Sequence, residues 1–198
     1  MTRPSTEVLI DRIPVDRNVA TDAIWVVAFS LVTAICAQIS IHVPHVPVPV
    51  TGQTFAVLLS GAVLGRRRGF LSQVAYLAEG AIGLPVFADG AGSALHLVGP
   101  AGGYLLGFPL AAAFVGYLVE QGVARSTWKL VGALVCADVF ILFAGSIWLR
   151  VLFRVPPAQG WLLGFYPFLI ADIAKIALVG CSLPPVMRRF AASLGTPT

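Results

Sequence analysis

The run "FLIADIAKIALVG" at residues 168–180 sets an acid and a base, Asp172 and Lys175, three positions apart in an otherwise apolar stretch. On a helix, positions i and i+3 share a face, so the two groups can reach each other or a common ligand. A carboxylate offers only acceptors and an ammonium only donors, a combination suited to a polar molecule that carries both. Each charge costs roughly 2.5–3.5 kcal/mol at the centre of a membrane helix. Two readings follow: a structural ion pair, or a ligand site. The second is favoured, because a buried ion pair seldom outperforms an apolar pair of equal volume.

Two further acids lie in apolar runs, Glu79 in "YLAEGAIG" and Asp138 in "VCADVFIL", and neither has a basic residue at i±3 or i±4. Asp138 could pair with Lys175 across helices, and Glu79 could face an outer pocket near Tyr76; either could serve a proton relay. His42, His45 and His96 have no Cys or Glu at ligand spacing, so no metal site is expected. No G-x-x-x-x-G-K-[ST], G-x-S-x-G or H-E-x-x-H occurs, so the chain is expected neither to bind ATP in P-loop fashion nor to be a hydrolase. Cys36, Cys136 and Cys181 stand singly in apolar stretches and read as buried small hydrophobes.

The elements that must position these groups belong in lipid. The chain has 198 residues, 58% hydrophobic and 11% charged, and its mean hydropathy is +0.88. Apolar runs fall at 22–42, 54–65, 69–84, 101–120, 127–149 and 161–183, which predicts six transmembrane helices in an all-α integral membrane protein. The net charge of +4 reflects topology and not nucleic-acid binding. With the N-terminus inside, the inner flanks collect Arg3, Arg12, Arg17, Arg66, Arg67, Arg68, Arg125, Lys129, Arg188 and Arg189, against Arg150 and Arg154 outside. Both termini are therefore expected in the cytoplasm, with an N-terminal segment 1–21, a six-helix domain 22–186 and a tail 187–198. The start lacks the short apolar core of a cleaved signal, so the first run should remain as a span.

The second run is short of the hydrocarbon thickness, and "HVPHVPVPVTGQ" ahead of it contains Pro44, Pro47 and Pro49, which favour an extended path. That segment is expected to dip inward as a lid, and half-helices of this sort border transport sites. "GLPVFADGAGSALHLVGPAGG" forms a second outer loop without Lys or Arg. Ser30-x3-Ala34, Thr33-x3-Ala37 and Gly61-x3-Gly65 are small-xxx-small pairs that suit either packing within the bundle or a face for another subunit. "GYLLGFPL" at 103–110 and "GWLLGFYPF" at 160–168 echo each other, too briefly to define a repeat.

The blocks "VPVPVTGQTFAVLLSGAVLG", "YLAEGAIGLPVFADG", "GPAGGYLLGFPLAA" and "FLIADIAKIAL", in this order across residues 22–185, resemble the BioY family, the biotin-binding S components of energy-coupling factor (ECF) vitamin transporters. The resemblance implies a six-helix S-component fold in the plasma membrane, with biotin held near the outer side beneath the first outer loop. It maps the family's ureido-binding acid and lysine onto Asp172 and Lys175. A ureido ring presents two N–H donors for the carboxylate and a carbonyl for the ammonium. Tyr76, Phe87, Tyr104 and Phe108 are then expected to wall the ring and tail, with Thr51 and Gln53 as lid or polar contacts. Glu79 joins the substrate-binding set through its position near Tyr76, and backbone N–H groups of Gly102 and Gly103, with Ser93 or His96, are the expected seat of the tail carboxylate.

The same resemblance implies that Ser30, Thr33, Ala34 and Ala37 dock on a transmembrane coupling subunit and that two ATPase subunits supply the energy. No cofactor is expected in this chain, ATP being used only by the partners. Three alternatives compete: an S component for another vitamin, a stand-alone proton-coupled carrier using Glu79 and Asp138, and an intramembrane enzyme with Asp172 or Glu79 as acid or base.

Overall fold

The computed structural model describes residues 8–12 and 18–193, with side chains for 8–11 and 18–185. Of the charge count above, Arg3, Arg12, Arg17, Arg188 and Arg189 lie outside the described side chains. After a 3-10 turn at Leu9–Arg12 come α1 (Val19–Ala37), β1 (Ser40–Ile41), β2 (Val50–Thr51), α2 (Gln53–Ala81), α3 (Ala94–Val98), α4 (Gly102–Glu120), α5 (Thr127–Phe153), α6 (Pro157–Gly164) and α7 (Tyr166–Ser193).

α1 starts where Asn18 Oδ1 accepts the Thr21 N–H at 2.8 Å, an N-cap that satisfies one of the helix's orphan donors. α2 is two helices joined by one residue. Gly65, at φ 82°, reverses the chain in a conformation that side chains disfavour, so the arms 53–64 and 66–81 run antiparallel. Gln73 Nε2 of the second arm donates to Ser60 Oγ of the first at 3.0 Å. Glu120, at the end of α4, accepts the Arg66 N–H at 2.7 Å and so caps the second arm. Arg66–Arg68, the basic flank between the second and third apolar runs, are therefore helical.

α4 is the central helix, with 67% of its apolar window buried against protein compared with 17% for α1. Its backbone touches the hairpin directly. A Cβ on Gly61 would fall 2.3 Å from Ala112 O, and one on Gly116 2.3 Å from Gly65 C. Such contact is how helices gain dispersion energy where lipid removes the hydrophobic drive. The core continues outward through Leu105, Phe108, Leu134, Ile141 and Leu142 between α4 and α5.

Among the described residues, four helices, α1, α4, α5 and residues 166–185 of α7, are long and apolar enough to cross a membrane. The two arms of α2 are shorter, about 18 and 24 Å at 1.5 Å per residue. The last predicted span, 161–183, is broken at Phe165 into α6 and α7. The predicted lid is extended and closes on itself as a two-stranded antiparallel sheet, with Ser40 opposite Thr51 and Ile41 opposite Val50. The N-terminal turn packs on the bundle: Val8 and Ile10 are buried, and Arg68 binds Asp11 at 2.8 Å and Asp22 at 2.6 Å.

Two sequence readings are corrected at this level. Ser30, Thr33, Ala34 and Ala37 face inward, at most 9% exposed, so they are not available as a docking stripe. They turn to the second arm of α2 because its polar groups need partners there: Ser30 Oγ lies 2.7 Å from Glu79 Oε1, and Gln73 Nε2 donates to Thr33 Oγ1 at 3.2 Å. Of the cysteines, only Cys36 is partly buried; Cys136 and Cys181 are exposed on outward faces where an apolar thiol meets lipid as readily as protein.

Candidate ligand site

Asp172 and Lys175 are neighbours, as their spacing requires. Lys175 Nζ donates to Asp172 Oδ1 at 2.6 Å. Asp172 is 2% exposed, whereas Ile170 and Ile173 beside it are 85% and 65% exposed, so α7 turns its charges inward and its apolar face out. Thr54, which the sequence reading missed, bridges the pair: it donates to Asp172 Oδ1 at 3.0 Å and accepts from Lys175 Nζ at 2.9 Å. The only signal was its place beside Gln53 at the start of the short arm, and a lone threonine there reads as ordinary helix chemistry. The bonding leaves two capacities open. Asp172 Oδ2 is buried without a partner, and Lys175 retains one N–H beyond these two bonds.

A cavity of about 40 Å³ lies against this cluster. Val48, Pro49 and Thr51 of the lid, Gln53 and Thr54 of α2, Tyr104 and Phe108 of α4, and Phe168 and Lys175 of α7 are among its walls. Sites for small organic molecules are ordinarily about 300 Å³ or more. A ligand of that size therefore requires the walls of this cavity to move apart. Tyr104 fixes the opposite wall: its hydroxyl donates to Gly164 O at 2.6 Å, its ring lies on Gly145, and Phe168 packs 5.4 Å away. That hydrogen bond ties α4 to the α6–α7 corner.

The remaining sequence candidates are placed elsewhere. Tyr76 sits behind the wall: Gln53 Nε2 donates to its hydroxyl at 2.5 Å, and the hydroxyl donates to Val86 O at 3.1 Å. Phe87 is fully buried between Tyr76 and His96, with ring centroids at 5.5 and 5.0 Å, and its ring fills the space a side chain on Gly80 would take. Both support the outer loop and do not line the cavity. Glu79, expected near the pocket, faces α1 and Ser30, because a carboxylate on that side of α2 finds a hydroxyl there.

Part of the expected carboxylate seat is engaged by the protein itself. Ser93 caps α3 by accepting the Leu95 N–H at 3.1 Å, and Gly102 N–H donates to Gly99 O at 3.0 Å. Gly103 is needed small, since a Cβ would fall 2.2 Å from Trp148 Cβ. His96 is stacked on Phe87, and burial there pushes its pKa below the ordinary histidine value, against the pull of the Asp89 carboxylate. The lid is tied to this second loop. Ser40 Oγ donates to Asp89 Oδ1 at 2.5 Å, His42 Nε2 lies 3.1 Å from Asp89 Oδ2, and Gln38 donates to Phe87 O at 3.1 Å.

Asp138 is buried at 3% exposure with Oδ1 unpaired, and the proposed pairing with Lys175 is not formed because Asp172 holds that ammonium. α5 and α7 pack with Val131 and Leu134 against Gly180. Two turns along, in antiparallel register, Asp138 comes level with the Asp172–Lys175 pair and feels the charge of both.

These features define a class: a multi-pass, all-helical membrane protein with a charged internal cleft under a β-hairpin lid. The profile of the BioY family matches residues 6–192. A probable biotin transporter BioY of Pyrococcus horikoshii is 39% identical over 158 residues, covering 80% of this chain and 91% of that protein. The biotin transporter BioY of Thermotoga maritima is 38% identical over 138 residues, covering 70% and 80%. A crystal structure of the S-component for biotin from an ECF-type ABC transporter superposes with a TM-score of 0.79 at 23% identity, over 85% of this chain and 92% of that one, and so shares the fold. The chain belongs to the BioY family.

Proposed function

We propose that this chain is the biotin-binding S component of an ECF-type transporter, a carrier subunit and not an enzyme. The observation that carries the reading is the buried Thr54–Asp172–Lys175 cluster, whose free Asp172 Oδ2 and spare Lys175 N–H match a ureido ring's N–H and carbonyl. A ligand that completes both groups offsets the cost of holding them in the membrane. The aromatic and aliphatic walls, Tyr104, Phe108 and Phe168 among them, suit a thioether ring and aliphatic tail.

In this reading the protein lies in the plasma membrane, crosses it six times when both arms of α2 are counted, and keeps both termini in the cytoplasm. Biotin enters from outside as the 40–51 lid lifts. A transmembrane coupling subunit and two ATPase subunits then drive its release inward, so ATP and any cofactor chemistry belong to them. Mass spectrometry of ligand extracted from the detergent-purified full chain after loading with a vitamin mixture tests this. Biotin should be recovered stoichiometrically; recovery of a different vitamin, or none, refutes it.

A further inference from the structure

Among the described residues, Lys175 is the one cation of the cavity wall, and Asp172 Oδ1 already holds it at 2.6 Å. Asp138, a second buried acid at the same level, adds no positive charge. The polar end therefore sets two acids against one ammonium and has no surplus positive charge for an anion. Toward the mouth, the polar wall groups are Thr51 and Gln53, both neutral, and they bind each other at 2.7 Å. Of the outer-loop groups, Ser93 Oγ and the Gly102 N–H are engaged in the protein's own hydrogen bonds, and the Gly103 N–H and the His96 ring stacked on Phe87 add no fixed positive charge.

Resting on the proposed function, we infer that the site recognises the bicyclic ureido head and gives the tail carboxylate no charged partner, so that biotin derivatives with a neutral tail are also ligands. Desolvating a carboxylate without a countercharge is costly, so the tail end either stays in water at the mouth or gains nothing from its charge. A neutral amide or ester removes no interaction in either case. A site that did pair the carboxylate with a cation would lose a charge-assisted hydrogen bond, about tenfold or more in affinity.

The experiment is competition against radiolabelled biotin on the full chain in lipid nanodiscs, using unlabelled biotin, biotin primary amide and biotin methyl ester. Amide and ester should displace the label within about tenfold of biotin's own potency. A larger deficit for either overturns the inference while leaving biotin binding intact. Failure to retain labelled biotin at all overturns the function reading and this inference with it. Lys175→Gln supplies a second arm: it should weaken biotin and the amide by the same factor. Selective loss of biotin would mean that Lys175 holds the carboxylate, and would overturn the inference even if the wild-type potencies agreed.

Discussion

Replacing Thr54 by valine keeps the side chain's shape and removes one hydroxyl, which in this fold deletes two hydrogen bonds to charged groups: 3.0 Å to Asp172 and 2.9 Å from Lys175. The direct Lys175–Asp172 contact at 2.6 Å survives, so the pair stays neutralised and the helices stay packed. What is lost is the tie between α7 and the start of α2 that holds both groups at a fixed height in the cleft. Hydrogen bonds to charged groups are worth about 1.5–3 kcal/mol each. If one such increment appears in ligand affinity, Kd for biotin rises about 10- to 150-fold. Isothermal titration on the full chain in nanodiscs reads the change directly, and Thr54→Ser should return Kd to within about threefold of wild type, because it keeps the hydroxyl. An unchanged Kd for Thr54→Val refutes the positioning role. So does an equal loss in Thr54→Ser, which would assign the effect to the threonine methyl.

Gly116→Ala should lower the thermal midpoint by about 4 °C or more, since its Cβ would meet backbone atoms of Gly65 and Arg66 at 2.3 and 2.4 Å. A midpoint within 1 °C of wild type, by that same scale, would refute the close helix contact. Ser30→Val leaves Glu79 without its hydroxyl partner and should cost about 1–3 kcal/mol in unfolding experiments, with Glu79→Leu in the same background recovering most of it. The outer loop should loosen in acid. Burial holds His96 below its ordinary pKa, so the opened loop binds more protons than the closed one; the His96 contribution is full above about pH 6.5 and is lost as the pH falls through the lowered value. Protection factors of residues 82–101, taken from hydrogen exchange corrected for its intrinsic pH dependence, should fall between about pH 7 and 5, and His96→Asn should flatten that dependence.

The sequence by itself determined the solvent, the helical class and the central pair. With its hydrophobic residues gathered in long continuous runs and not alternating, the chain spans lipid as helices that satisfy their own backbone, and i,i+3 spacing forces Asp172 and Lys175 onto one face. The lid was legible as well, because three prolines between Val43 and Thr51 exclude a helix. Contacts across helices were not. Nothing local distinguishes Thr54, which completes the site, from Ser93, which merely caps α3; the 118-residue separation between Thr54 and Asp172 is closed only by packing. The small residues of α1 carried the same ambiguity, since Ser30 and Thr33 fit a partner's helix or their own bundle equally well by pattern. Which face turns inward was decided by Glu79 and Gln73, whose buried polar atoms need those hydroxyls, and a hydrogen bond of that kind exists only once α1 and α2 are side by side.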